Sequence, residues 1–337
     1  GTPGPDTEAE AVRLGAAGYL LKPVSSGDLV RAVSHSTRLC RLARLVRSAP
    51  FSPRERETLP ASWPTLPAAF ARALGSLYLA WQPVVHACDG TVYGNEGYAR
   101  TLEPSLSQPG SLFEAGERLD RVRELGRRVR RAAAFDRDQL GPGALFVNLH
   151  ARELLDDDLY DAVAPLANAA TSVVLDIAGH DSLVEVPRLG ERIRRLRGLG
   201  YRIAVDDLGA GQAGLSCLAA LAPDIAKLDV ALLEGLDHDV ARQERVGAMT
   251  RACHDLGILV VAEGIENPGQ RDAAASLGVD LLQGFLFGRP RPVLSDPGAA
   301  KGEPVRSAGR GCEGPLRADG LESGLDRRPC GVPAHSR

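Results

Sequence analysis

Aromatic side chains are scarce in this chain. They make up 4% of its 337 residues, with 2 Trp, 6 Tyr and 7 Phe, and methionine occurs once. The core must therefore be aliphatic, and a hydrophobic content of 44% is enough for a substantial one. An excess of either charge is also missing: the formal net charge is −3, which offers no electrostatic footprint for a DNA or RNA polymer. The Arg-rich stretch ERIRRLRGLG reads as a solvated helix face with Ile193 and Leu196 turned inward. The 6 cysteines form no CxxC pair, and the closest two, Cys312 and Cys330, are 18 positions apart. That spacing argues against a structural zinc site and suits a reducing cytosol. No apolar run approaches the roughly eighteen residues of a membrane span, and no basic-plus-apolar leader is visible. The expectation is a soluble, cytoplasmic protein with neither membrane nor nucleic-acid polymer as partner.

Four regimes follow one another. Residues 1–36 carry a helix pattern (EAEAVRLGAAG), a short strand (YLLK) and a second helix (SGDLVRAVSHS), too little to bury a core alone. Residues 37–76 mix Arg-rich helix with Pro50, Pro53, Pro60, Pro64 and Pro67 and read as a linker. Residues 77–293 are regular, and 294–337 turn to Gly, Pro, Ser and Arg without apolar periodicity, which predicts a disordered tail.

In the regular part, short apolar runs alternate with helical patterns. Val122, Leu125, Val129 and Ala132 fall on one helix face; so do Val186, Leu189, Ile193 and Leu196, and again Val246, Met249, Cys253 and Leu256. Gly200, Gly257 and Gly278 fit C-cap positions. Strand and helix repeated over about 210 residues predict a parallel α/β architecture, and that length favours a (β/α)8 barrel over an open sheet. No Gly-rich phosphate fingerprint follows a first strand, which disfavours a dinucleotide fold.

Almost every apolar run ends in a metal-seeking or proton-handling side chain: Glu96 after VYGN, Asn148 after ALFV, Asp176 after SVVL, Asp206 and Asp207 after RIAV, Lys227 and Asp229 in IAKLD, Glu263 after ILVVA and Gln283 in LLQGFLFG. Strands that stop on such groups describe a barrel whose rim carries an active site. The tandem Asp206-Asp207 has two readings: a helix N-cap, or a pair of which one carboxylate enters the barrel mouth while the next turns toward the loop, with Gly209 and Gly211 permitting the turn. Carboxylates converging on one mouth repel one another. Divalent cations are the common remedy, and an all-oxygen donor set suits Mg²⁺, Mn²⁺ or Ca²⁺. Two-metal phosphodiester hydrolysis uses such a set. Lys227 is placed to hold an attacking water or to neutralise charge.

Motifs WQPVV, NEGYAR, FVNL, VDDLGAG, KLD, VAEGIE and LLQGFLFGRP occur in that order over residues 77–293. In them the chain resembles the EAL-domain family, bacterial phosphodiesterases that hydrolyse cyclic di-GMP to the linear dinucleotide. The resemblance implies a modified (β/α)8, TIM-like barrel with one antiparallel strand. It implies two ions, Mg²⁺ or Mn²⁺, held by Glu96, Asn148, Asp176, Asp206, Asp207 and Glu263, with Glu263 also catalytic. Lys227 and Asp229 match the pair that positions water and supports the ligands, and Gln82, Arg100 and Gln283 fall where the family contacts the dinucleotide. Arg100 is in the phosphate-contacting position, where a guanidinium suits the geometry. Family members often pair through the barrel, so a homodimer is implied, although no apolar surface stripe in the sequence marks one.

The chain departs from the family at several points. The signature reads Glu96-Gly97-Tyr98 where the family has Glu-Ala-Leu, a change expected to touch packing only. Asp176 replaces a Glu, pulling the carboxylate back by about 1.5 Å, and a misplacement of that order can cost about a hundredfold in rate. Gly179 replaces a second Glu that steadies the loop after the Asp-Asp pair, Gln212 replaces a common Tyr, His180 reads as a surface residue, and SLFEAGERLDRVRELGRR alters one rim. The expected site is assembled but loosened. The expected function is metal-dependent cyclic di-GMP hydrolysis with impaired activity; the alternative is a receptor that binds the dinucleotide with little turnover.

Residues 2–33 resemble the last third of a response-regulator receiver domain, with Lys22-Pro23 after its final strand and Thr2 as switch threonine; an unrelated helix-strand-helix cap is the other reading. The phosphoacceptor aspartate would lie upstream, so this fragment is not expected to accept a phosphoryl group.

Overall fold

A computed structural model of the chain describes residues 20, 22–47, 59, 63–108, 110–178, 183, 186–208 and 221–293. Leu20 is in no regular element and Lys22 forms a bend; Tyr19 and Leu21 of the expected YLLK strand lie outside the described residues, as do Thr2 and the whole of 294–337. Helix α1 (Ser26–Arg47) runs through the expected boundary at residue 36. It buries Leu39 and Leu42, and Arg38 Nη1 donates to the Asp255 carbonyl at 2.8 Å. The linker region contains helix α2 (Leu66–Gly75), which buries Leu66, Ala69, Phe70, Ala73 and Leu74.

Strands β1 (Leu77–His86), β2 (Val92–Thr101), β3 (Ala144–Leu149), β4 (Val173–Ala178), β5 (Arg202–Leu208), β6 (Ile225–Leu228), β7 (Leu259–Ala262) and β8 (Leu281–Gln283) close a TIM-like barrel. β2 through β8 pair in parallel, whereas β1 is antiparallel to both β2 and β8. A short β9 (Arg291–Pro292) adds to β1 at Ala80 and Trp81. Between strands lie α3 (Ser111–Arg118), α4 (Val122–Asp136), α5 (Leu189–Gly198), α6 (Val230–Leu233), α7 (Val240–His254) and α8 (Pro268–Ser276).

Side chains alternate across each strand, and the alternation sorts the core in two. Leu145, Val147, Leu175, Ile177, Ile203, Val205, Ala226, Leu228, Val260 and Ala262 face the helices as part of one aliphatic cluster. Val84, Ala144, Phe146, Val174, Ala204, Ile225, Val261 and Leu281 form a second cluster inside the barrel. The helix faces are largely as the periodicity predicts: Val122, Leu125 and Val129 are buried, with Ala133 in place of half-buried Ala132. Ile193 and Leu196 are buried on α5, as are Val246, Met249 and Cys253 on α7. Gly200, Gly257 and Gly278 adopt φ of 102°, 75° and 85°, the left-handed region that a glycine enters without strain.

Candidate active site

Two residues along each strand from the inner apolar cluster comes a polar group, and the period of two aims it into the same interior. Phe146 leads to Asn148, Val174 to Asp176, Ala204 to Asp206, Ile225 to Lys227, Val261 to Glu263 and Leu281 to Gln283. On antiparallel β1 the order reverses, so Gln82 precedes Val84. In β2, Glu96 pairs with Gln82 across the ladder.

Lys227 is the hub. Its Nζ lies 2.8 Å from Asp176 Oδ2, 2.9 Å from Glu96 Oε2, 2.6 Å from Glu263 Oε1 and 3.7 Å from Asp206 Oδ1. Burial opposes the charge on its ammonium, but the four carboxylates outweigh burial and hold its pKa well above the ordinary lysine value. Burial pushes the Asp176 carboxyl up to about 8, with Asp206 and Glu96 adding to the rise and Lys227 resisting it. Burial also raises Glu263 well above the usual carboxylate range, against the pull of Lys227. One ammonium does not balance this many acids. Asp176 Oδ1 is buried and has no hydrogen-bond partner among the described residues.

Asp206 and Asp207 depart from simple strand geometry. The β5–β6 register slips between Val205 and Leu208, and Asp207 takes φ 55°, the left-handed region. Its amide donates to Asp206 Oδ1 at 2.9 Å. The bulge breaks the alternation, as bulges do near barrel rims. In place of one carboxylate in the mouth and one toward the loop, oxygens of Asp206, Asp207 and Glu263 lie within 4.8 Å of one another, a spacing that can hold a cation. Gly209, Gly211 and Gln212, expected to shape this turn, lie outside the described residues, as do Gly179 and His180.

Around Glu96 the contacts are dense. Its Oε1 accepts Asn148 Nδ2 at 3.1 Å, and its Oε2 accepts Gln283 Nε2 at 2.8 Å and the Tyr98 hydroxyl at 3.1 Å. Gln283 Nε2 also approaches Gln82 Oε1 (3.3 Å) and the Tyr98 oxygen (3.2 Å), and Gln82 Nε2 donates to the Gly288 carbonyl at 2.9 Å. Gln82 and Gln283 are buried, and Gln283 Oε1 has no hydrogen-bond partner among the described residues. Tyr98 was expected to alter packing only; the structure corrects that, since its hydroxyl bonds Glu96. Burial and the Glu96 charge raise its pKa far above the ordinary tyrosine value. The signal that identifies Tyr98 is its spacing of two from Glu96, which puts both on the inward face.

Two expected residues stand apart from the carboxylate cluster. Arg100 Nη1 donates to the Ala99 carbonyl at 2.9 Å, and its guanidinium sits 5.6 Å from the centre of the Tyr98 ring. Asp229 Oδ1 accepts the Ala231 amide at 2.6 Å, capping α6 and holding the chain just beyond Lys227.

Among the described residues no helix is long and apolar enough to cross a membrane. Residues 66–290 match the EAL domain family. The bifunctional diguanylate cyclase/cyclic di-GMP phosphodiesterase MucR of Pseudomonas aeruginosa is 28% identical over 228 residues, 64% of this chain and 33% of its own. A solved structure of the PaMucR phosphodiesterase in complex with c-di-GMP is 28% identical, with a TM-score of 0.56 and coverage of 64% of this chain and 97% of that one. Klebsiella pneumoniae BlrP1, solved as a manganese/c-di-GMP complex, is 26% identical with a TM-score of 0.56, covering 79% of this chain and 67% of that one. The chain spans 29% to 40% of the length of the first curated relatives it matches. With its family match, its barrel and the order of its motifs in agreement, the chain belongs to the EAL domain family.

Proposed function

We propose that residues 77–293 hydrolyse cyclic di-GMP to linear pGpG in a metal-dependent reaction, with a turnover lowered by Asp176. The observation that carries this reading is Glu96, Asp176, Asp206 and Glu263 gathered about one ammonium, Lys227, above an apolar floor. The excess negative charge, the partnerless Asp176 Oδ1 and the Asp206-Asp207-Glu263 oxygen cluster all fit divalent cations. Glu96, Asn148, Asp176, Asp206, Asp207 and Glu263 would hold two ions, Mg²⁺ or Mn²⁺. When bound, such a pair supplies a water of lowered pKa and stabilises charge on a phosphodiester.

The chain's own groups do the rest. Lys227 keeps its proton and donates toward the attacking water, opposing the charge that builds on the phosphodiester. Glu263, 2.6 Å from that ammonium, takes up the water's proton as well as serving as ligand. Asp229 keeps the segment after Lys227 in place. Arg100 meets a phosphate, and Gln82 and Gln283 contact the dinucleotide. A homodimer through the barrel and a cytoplasmic location belong to the same proposal, as do a receiver-like 1–36 and a linker at 37–76.

One observation favours a second reading, a receptor with little turnover. Asp176 spends one oxygen on Lys227 at 2.8 Å and carries a side chain one methylene shorter than the family's Glu. Binding contacts can outlast turnover because they are separable from transition-state chemistry. Purified protein incubated with cyclic di-GMP and Mn²⁺ or Mg²⁺ decides between them: formation of pGpG that is abolished in Glu96→Ala supports the enzyme. Tight binding without product supports the receptor, and neither binding nor product defeats both.

A further inference from the structure

We propose that Tyr98 is a positioning residue of the metal site, its hydroxyl fixing the Glu96 carboxylate while its ring carries Arg100. This rests on the reading of Glu96 as a metal ligand. Tyr98 sits where the EAL signature has leucine, so the contact it makes is one the signature residue has no atom to make.

The geometry is a closed triangle. The Tyr98 hydroxyl donates to Glu96 Oε2 (3.1 Å), Gln283 Nε2 donates to the same oxygen (2.8 Å), and Gln283 Nε2 also reaches the Tyr98 oxygen (3.2 Å). Lys227 Nζ adds a third donor to Oε2 at 2.9 Å. Three donors therefore gather on Oε2, and Oε1 is left with Asn148 Nδ2 at 3.1 Å, the side chain of another proposed ligand. The carboxylate is gripped at one oxygen and presented at the other. Partners that hold a ligating carboxylate in this way set its orientation, and their loss typically weakens metal binding about 10- to 100-fold.

The ring has a separate task. The Arg100 guanidinium lies 5.6 Å from its centre, within range of a cation–π contact. That places the proposed phosphate-binding group against the ring and the proposed ligand against the hydroxyl of one rigid side chain. A leucine makes neither contact.

Two substitutions separate the two tasks. Tyr98→Phe keeps the ring and deletes the hydroxyl. Its Kd for Mn²⁺, titrated by calorimetry without nucleotide, is expected to rise about 10- to 100-fold, while KM for cyclic di-GMP at saturating Mn²⁺ stays near the parent value. Tyr98→Leu deletes both, so its Mn²⁺ affinity falls similarly and KM rises as well. If Tyr98→Phe binds Mn²⁺ as tightly as the parent, the hydroxyl positions nothing and the proposal is overturned. Should Tyr98→Phe not fold, Tyr98→Gln, which returns an N–H donor, must bind Mn²⁺ more tightly than Tyr98→Leu; equal affinities overturn the proposal too. Glu96→Gln tests the underlying reading on its own: unchanged Mn²⁺ affinity there removes Glu96 from the metal site, whatever the Tyr98 variants do.

Discussion

Trp81 and Gly97 stand opposite each other in the β1–β2 ladder, and a Cβ on Gly97 would lie 2.9 Å from the indole ring. The indole cannot slide aside cheaply, because its Nε1 donates to Asp136 Oδ2 on α4 at 2.8 Å. Glycine usually weakens a strand; here it makes room for one of the two tryptophans. Gly97→Ala is expected to destabilise the fold by about 1–3 kcal/mol, the usual cost of overpacking. Urea denaturation measures it, and Trp81→Phe in the same chain should recover part of the loss through coupling. Strictly additive losses would count against the fit described.

Gly126 poses a similar test inside a helix. Replacing a mid-helix glycine by alanine normally gains up to about 1 kcal/mol. At this position the new Cβ would lie 1.7 Å from Glu153 Oε2. That carboxylate is held by buried Arg130 and by the His150 amide, which donates to its other oxygen at 3.0 Å. Gly126→Ala should therefore lose about 1–3 kcal/mol, visible as a lower urea midpoint. A more stable variant would refute the packing.

Glu153 also gives the fold a pH dependence. Burial raises its carboxyl to about 7, outweighing the pull of Arg130. Between the unfolded pKa of about 4.5 and this folded value, the native state binds more protons than the unfolded one, so stability falls as pH rises. The contribution is fully present below about pH 4.5 and spent above about pH 7. Glu153→Gln cannot titrate. Its stability relative to the parent should shift by about 2–3 kcal/mol in its favour between those limits, read from urea melts at several pH values. Parallel pH profiles would show that Glu153 stays ionised.

Asp176→Glu lengthens the side chain by one methylene and restores the ligand length that the family resemblance implies at this position. At saturating Mn²⁺, kcat is expected to rise by tens to about a hundredfold, the penalty associated with about 1 Å of misplacement. A variant no faster than the parent would end the account of a loosened site.

How far the site is legible in the sequence depends on geometry that sequence can carry. Glu96, Asp176, Lys227 and Glu263 are readable because each sits at the close of an apolar run, and the strand period of two sends each to the same side as its apolar neighbour. That one strand runs antiparallel follows from the family resemblance and not from periodicity, which has no direction; that it is β1 is seen only in the structure. The Asp206-Asp207 arrangement was half visible. Alternation predicts opposed side chains, and only the register slip with Asp207 at φ 55° brings both oxygens near Glu263. Tyr98 is not readable in this way: a tyrosine in a leucine's place looks like volume until its hydroxyl finds Glu96. Asp229 as a cap on α6 was hidden too, since a residue after a strand and before a helix carries no mark of which it serves.

Val84, Phe146, Val174, Ile225, Val261 and Leu281 seal the barrel directly beneath the charged residues. That greasy stopper keeps water from reaching Lys227 and its carboxylates from below, so their charges meet in a setting of low dielectric where each contact is stronger than it would be in water.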